Sequence, residues 1–196
     1  MLEAIETINI KGYTVEIFPE DYPEDPRSWD NAGTMVCWHR RYDLGDIQPK
    51  DDPQDYFRDE IEPVAAAVLP LYLYDHSGIT ISTGAFSCPW DSGQVGWIFI
   101  TKEKAKTDFG IKRLTKKAIK RLENYLRAEV KTYDDYLTGA VYGYAVKNPN
   151  GEEIDGCWGY FGYDHKESGL LDAANSMIDY DLTQRYKKAV QAQAIA

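Results

Sequence analysis

The stretch 69–100 constrains the fold of this chain more strongly than any other, because it alternates strand-like runs with polar turns. Leucine recurs at every second position over 69–73, which is the period-two pattern of a β-strand. A turn-forming sequence at 75–78 leads into a second alternating run, which ends at another polar segment, 88–93. Residues 95–100 are then apolar on both faces, as in a strand that is covered on both sides. The stretch therefore predicts three consecutive strands joined by two polar turns.

Two further hairpins are predicted near the two ends of the chain. Over residues 2–18, alternating runs flank a turn that ends in Gly12. A second pair of alternating runs, 140–147 and 152–161, flanks a Pro-Asn-Gly turn, which is the strongest turn signal in the sequence. We therefore expect antiparallel strand pairing at both places.

Four helical segments are predicted around these strands. Apolar residues at helical spacing indicate long amphipathic helices at 112–131 and 168–194. A shorter helix over 53–62 starts with Asp52 as its N-cap and a proline at its first position, and a short basic helix spans 101–109. Because strands and helices occur in blocks joined by hairpins, the sequence predicts an α+β fold with a largely antiparallel sheet.

The length and composition of the chain suit one globular domain. We expect a single α+β domain over 1–196, with acidic, proline-containing loops at 19–33 and 43–55. No segment approaches the ~18 consecutive apolar residues of a membrane span, so we expect no membrane association. The N-terminus lacks a signal-peptide pattern, and three cysteines, an odd number, argue against a disulfide framework. Reduced thiols in a cytoplasm are therefore expected.

Charge is distributed unevenly along the sequence. The formal net charge is −10, yet residues 101–131 hold 11 of the 22 basic residues and only 4 acidic ones. The remainder holds 11 basic and 28 acidic residues, a balance of −17. An acidic body disfavours general binding to nucleic acids and membranes, since both are anionic, and favours a partner with a basic surface.

The acidic loops supply the candidate residues for such a partner. Carboxylates spaced along a surface can imitate the phosphates of DNA and compete for a basic groove, and tyrosines add contact area. We expect the following residues to bind the partner: Asp21, Glu24, Asp25, Asp43, Asp46, Asp51 and Asp52.

Cysteine and histidine residues suggest an alternative, chemical site. A cysteine nucleophile needs a histidine base and an acid that orients it, and His76, Cys88 and Asp91 lie in the two polar turns of 69–100. A zinc site needs about four Cys or His ligands, usually in close pairs. The candidate metal ligands are Cys37, His39, Cys157 and His165. Since none of these pairs has the spacing of a zinc motif, we favour no metal and no cofactor.

The long helix predicted at 112–131 is also basic, and it is the one segment that could contact phosphate. Its candidate phosphate-binding residues are Lys116, Lys117, Lys120 and Arg121. Few aromatic residues are interleaved with these cations, so stacking on nucleic-acid bases is not indicated. We therefore expect an exposed, solvated helix face and no direct binding to nucleic acid.

Four blocks of sequence resemble a family of small uncharacterised proteins of phages, prophages, plasmids and conjugative elements. These blocks are NAGTMVCWHRRYDLGD, YDHSGITISTGAFSCPWDSGQVGWIFITKEK, YLRAEVKTYDDYLTGAVYGYAV and DGCWGYFG, and the resemblance covers residues 30–175. It implies a mobile-element accessory protein in a bacterial host cytoplasm. The family offers no mechanism and no catalytic residue that can be transferred to this chain.

These observations together favour a non-enzymatic accessory protein of a phage or mobile element. We expect it to bind a host or phage protein through an acidic, tyrosine-rich surface, as an anti-defence DNA mimic analogous to acidic anti-restriction proteins. Two alternatives stay open. One is a small enzyme or metal protein with a Cys/His/Asp site in the turns of 75–93, and the other is nucleic-acid binding through 112–131. The sequence does not predict the oligomeric state.

Overall fold

The computed structural model describes residues 3–195 and confirms the α+β class, with two antiparallel sheets. In chain order, the strands are β1 (Glu6–Ile10), β2 (Tyr13–Pro19), β3 (Thr34–Cys37), β4 (Ala65–Asp75), β5 (Ile79–Ser82), β6 (Ser92–Thr101), β7 (Val141–Lys147) and β8 (Glu153–Phe161). The α-helices are α1 (Pro53–Tyr56), α2 (Lys102–Thr107), α3 (Lys116–Leu137) and α4 (Leu170–Ile195). A 3₁₀ turn covers Pro26–Ser28, and a π-helical turn, Phe57–Ile61, continues α1.

The contacts of the chain divide it into two compact units, where the sequence suggested one domain. The terminal unit combines the residues up to Glu24 with those from Gly139 onward, and the central unit comprises Asp25–Thr138. Each unit has its own sheet, with α4 in the terminal unit and α1, α2 and α3 in the central unit. The terminal unit holds 14 acidic and 6 basic residues, a formal charge of −8, and the central unit holds 18 and 16, a charge of −2.

The terminal unit is a four-stranded sheet in the order β1-β2-β7-β8, covered on one face by α4. Every neighbouring pair is antiparallel, and both hairpins predicted from the sequence are present. Alternate residues of β2, such as Val15 and Ile17, are fully buried, and they belong to one apolar cluster with Leu170 and Ile178 of α4. The buried face of the strands, made of every second residue, thus packs against the apolar stripe of the helix.

The central unit contains the three strands predicted over 69–100, together with β3, in the order β3-β6-β4-β5. One face packs on α3, where Leu69, Leu71 and Leu73 join Leu122 and Leu126 in the largest apolar cluster. The other face is covered near β3 by α1 and the π-helical turn. Both faces of β6 are therefore covered by other elements, as its apolar sequence predicted.

The other face of the central sheet carries an aromatic cluster, formed by Trp38, Tyr56, Phe57 and Trp97. These four side chains pack around the buried residues Val36, Ile61 and Phe99. The rings of Tyr56 and Trp97 both meet that of Trp38 edge-on, at centroid distances of 5.5 and 5.7 Å. Such edge-to-face contacts favour a fixed arrangement of the rings.

Capping residues set the helix boundaries. The predicted start of α1 is confirmed, since the Asp52 carboxylate accepts hydrogen bonds from the backbone N–H groups of Gln54 and Asp55. The long basic helix begins later than predicted, because the Thr115 side chain caps it by accepting from the N–H of Ala118. Within residues 3–195, no helix has both the length and the hydropathy needed to cross a membrane.

Candidate functional site

A buried ionic network holds the first two loops of the central unit against α3. Arg27, whose side chain is 5% exposed, donates to both carboxylate oxygens of Asp46 at 2.9 and 2.6 Å and to Glu129 at 3.1 Å. Glu129 in turn accepts from the backbone N–H groups of Ala32 and Gly33. Burial alone lowers the pKa of Arg27, but the hydrogen bonds to Asp46 and Glu129 raise it above its usual value. The network therefore keeps Arg27 charged and fixes both loops.

Three of the predicted partner-binding acids have bonds inside the central unit. Asp46 belongs to the Arg27 network and also accepts from the N–H of Met35 at 2.7 Å. Asp25 caps the 3₁₀ turn by accepting from the N–H of Arg27, and Asp52 caps α1. These carboxylates position the loops, which is a role that a count of acidic residues does not reveal.

The other four predicted acids are exposed. Asp43 and Asp51 lie in the central unit, whereas Asp21 and Glu24 belong to the terminal unit. Asp51 is next to the aromatic cluster, because its carbonyl oxygen accepts from the Trp38 indole at 2.9 Å. The prediction that these acids bind a partner stays a prediction.

The aromatic cluster is bordered by the acidic segment, residues 43–62, which contains eight acidic and two basic residues. Burial raises the pKa of Tyr56, and the negative charges of Glu60 and Asp51 raise it further. A cleft of about 290 Å³ lies between Trp38, Trp97 and the start of α1, with Asp52 at its wall. This combination of flat rings and carboxylates was not predicted. Its signal in the sequence is one tryptophan directly after β3 and another within β6, two strands that turn out to pair.

The structure brings the three predicted catalytic residues together, but their spatial arrangement does not suit a thiol nucleophile. One carboxylate oxygen of Asp91 lies 3.6 Å from the Cys88 sulfur and 3.6 Å from His76 Nδ1. A nucleophilic cysteine needs the imidazole next to the sulfur, so that the base can take the thiol proton. Here the carboxylate lies between them, and the His76 side chain is largely exposed.

A second group of polar residues lies beside these turns, and the sequence alone did not place its members together. His39 Nε2 lies 3.8 Å from the Asp75 carboxylate, which also pairs with Arg41. His39 Nδ1 accepts from the backbone N–H groups of Arg41 and Tyr42, so the ring carries its proton on Nε2, toward Asp75. Trp90, 92% exposed, lines a cleft of about 370 Å³ together with these groups.

The four metal candidates divide between the two units. Cys37 is buried in the central unit, and burial, reinforced by the charge of Asp46, raises the pKa of its thiol to about 12. Cys157 is exposed on β8, whereas the His165 ring packs edge-on against Tyr142 and lies 3.6 Å from Glu6. Within the part of the chain that the structure describes, no group of three or more Cys, His, Asp or Glu side chains is placed to hold a metal.

The four predicted phosphate-binding residues all lie on exposed positions in the first turns of α3. Lys120 is 3.6 Å from Glu123, and the Arg121 guanidinium lies over the Phe109 ring. Lys116 and Lys117 extend this exposed cationic face. The arrangement fits the solvated helix that the sequence predicted, while phosphate binding stays a prediction.

In comparisons with known proteins, no family model, no curated protein and no solved structure matches the chain. The fold and the sites define the class: an α+β protein of two compact units, whose central unit presents an aromatic cluster beside an acidic segment.

Proposed function

We propose that this chain is a non-enzymatic accessory protein of a phage or mobile element. It acts in the host cytoplasm and binds a host or phage protein that has a basic surface. The binding surface is the acidic segment, 43–62, together with the aromatic cluster. The observation that carries the proposal is the cleft between Trp38, Trp97 and Asp52, where flat apolar rings meet a carboxylate.

The chemistry of this cleft fits a lysine or arginine side chain of the partner. The aliphatic stem of such a residue packs on an indole ring, and its cation gains from both the ring face and a nearby carboxylate. Asp52 uses one carboxylate oxygen to cap α1 through Gln54 and Asp55, which holds the group in place at the cleft. Because the rings and the carboxylate are already positioned, little ordering is required on binding.

The surrounding charge favours the same kind of partner. The acidic segment has a formal balance of −6, and its exposed carboxylates include Asp51 and Glu60 on either side of Tyr56 in the sequence. Complementary charge accelerates encounter and selects basic partners. A basic groove that normally holds DNA meets this description, so we further propose that the surface acts as a DNA mimic in an anti-defence role.

The experiment is capture of partners from a bacterial lysate on immobilised protein. We compare wild type with Asp51→Lys/Glu60→Lys and with a control, Glu167→Lys/Asp172→Lys, which makes the same change in net charge on exposed acids of the terminal unit. The proposal predicts a partner that elutes as the salt concentration rises toward about 1 M, where charges are screened beyond about 3 Å. It is supported if Asp51→Lys/Glu60→Lys fails to capture this partner while the control variant still captures it. A partner retained equally by both variants, or no salt-sensitive partner, overturns it.

The mimicry has its own test with the captured partner. Duplex DNA and this protein are expected to compete for one basic groove, so the protein should displace labelled DNA from the partner. The Asp51→Lys/Glu60→Lys variant should displace it at least about tenfold less effectively, since two favourable charges become repulsive. Simultaneous binding of DNA and protein would contradict mimicry while leaving the protein interaction intact.

A further inference from the structure

A cleft of about 640 Å³ beside the end of β3 has a composition unlike the rest of this acidic chain. It is larger than the clefts described above, and its lining is mainly apolar with two arginines, Arg40 and Arg41. The sequence around them, Cys37 to Tyr42, contains no acidic residue. Concave, mostly apolar sites of this size that carry a few polar groups are typical of small-molecule binding.

The walls of this cleft are fixed by the backbone. The loop after β3 returns to the strand, where the N–H of Cys37 donates to the carbonyl of Ile47 at 2.9 Å. The N–H groups of Asp46 and Ile47 both donate to the carbonyl of Met35. Leu44 anchors the loop in the core, and the hydroxyl of Tyr133 accepts from the adjacent Gly45 N–H at 3.1 Å. The two sides of the cleft, residues 37–41 and 48–49, are thus held together.

A flat apolar surface forms part of this cleft. Trp38 is half-buried, its indole N–H is bonded to the carbonyl of Asp51, and two rings meet it edge-on. Pro49 also lines the cleft. A planar ligand body can therefore pack on the indole without reorganising it.

The cationic groups differ in their availability. Arg41 is engaged by Asp75. Arg40 is exposed and, among residues 3–195, has no hydrogen bond or ion pair. A free guanidinium at the rim of an apolar cleft is suited to a carboxylate or phosphate, which it can bind through two parallel hydrogen bonds.

From these features we infer that the cleft binds a small organic anion with a planar apolar body. The body packs on Trp38 and Pro49, and the anionic group pairs with Arg40. Two ligand sources share this chemistry: nucleotides, which carry a phosphate on a base-bearing sugar, and aromatic carboxylates. This inference does not depend on the carboxylates of the acidic segment or on a protein partner.

Calorimetric titration with defined probes tests the inference. Adenosine monophosphate and 2-naphthoate are the anionic probes, and adenosine and 2-naphthol are their neutral counterparts. We expect saturable one-to-one binding of at least one anion, and binding of its neutral counterpart weaker by a factor on the order of ten. Binding of only the nucleotide or only the carboxylate identifies the source, and either result supports the site. No saturable binding of either anion at millimolar concentration overturns it.

Matched variants locate the site. Arg40→Glu should weaken anion binding by about tenfold or more, because it replaces attraction with repulsion. Arg113→Glu makes the same charge change at an exposed residue of the central unit outside the cleft and should bind like wild type. Thermal unfolding of both variants verifies that they are folded. Equal affinities of the two variants would place binding elsewhere and contradict the inference.

Discussion

Arg27 and Asp46 form a two-point contact in the central unit, with Nε–Oδ1 at 2.9 Å and Nη2–Oδ2 at 2.6 Å. The same guanidinium donates to the carbonyl of Gly33 at 2.7 Å and to Glu129 at 3.1 Å. One buried side chain thus joins the 3₁₀ turn, the loop before α1 and the long helix α3.

Replacement of Arg27 by alanine is expected to destabilise the protein strongly. The change leaves the carboxylates of Asp46 and Glu129 without their cation, and removal of one partner from a buried ion pair costs about 3 kcal/mol or more. Urea unfolding should show this loss in the free energy of unfolding. Arg113→Ala, at an exposed arginine, is the control and should change it by less than about 0.5 kcal/mol. Similar values for both variants would show that the network contributes little.

Replacement by alanine should destabilise the protein at one glycine of β6 and be tolerated at another. A Cβ atom on Gly96 would lie 1.9 Å from the carbonyl oxygen of Val36, so Gly96→Ala must push β3 away from β6. A Cβ atom on Gly93, in the same strand, meets no atom within 4 Å. We expect a loss of about 3 kcal/mol or more for Gly96→Ala and a change within about 1 kcal/mol for Gly93→Ala. Equal unfolding midpoints for the two variants would contradict this close approach.

Alkaline pH should destabilise the protein in part through Tyr133. Burial raises the pKa of this phenol to about 12, above its value of about 10 in the unfolded chain. The neutral form is therefore favoured in the fold, and this stabilisation is present below about pH 10 and is lost as the pH rises toward about 12. Unfolding midpoints measured over this range should fall more steeply for wild type than for Tyr133→Phe. Parallel curves would show that Tyr133 titrates alike in both states.

Acidic pH should act on the terminal unit through Asp181. The hydroxyl of Tyr13 donates to Asp181 at 2.6 Å, and this bond, followed by that from Arg185, lowers the pKa of the carboxyl group. The resulting stabilisation is present above the ordinary value of about 3.9 and is lost as the pH falls through the lower folded-state pKa.

The variant Asp181→Asn tests this dependence. It should melt at a lower temperature than wild type near neutral pH, and the difference should shrink as the pH falls below about 4. Asp172→Asn is the control, since Asp172 is an exposed residue of the same helix and its side chain has no hydrogen bond among residues 3–195. A difference that does not depend on pH would indicate that Asp181 acts only through packing.

Local signals predicted the elements well, and non-local pairing explains what they missed. The hairpins of β1 with β2 and of β7 with β8 follow from turns at Gly12 and Gly151, because the partner strands are adjacent in sequence. No local turn signal predicts that β2 pairs with β7, where Val15 lies opposite Val146. That pairing creates a second sheet, and with it the division into two units.

The same distinction applies to the sites. Cys88 and Asp91 are three residues apart, so their proximity was expected. His76 directly follows β4, and it lies close to the turn that contains Cys88 and Asp91. The internal role of Asp46 depends on Arg27, which lies in a different loop, and acidic composition alone does not distinguish a carboxylate in a network from an exposed one. The aromatic cluster likewise required the pairing of β3 with β6 before its two tryptophans could be placed together.

The insertion of the central unit between the two parts of the terminal unit sets an order for folding during synthesis. All strands and helices of the central unit leave the ribosome before β7 and β8 do, so its sheet can assemble while the first hairpin still lacks a partner strand. The β2 edge that later pairs with β7 is open during that interval. Because unpaired strand edges recruit other chains, the nascent protein is most exposed to misassociation at residues 13–19 until residues 141–147 have been made.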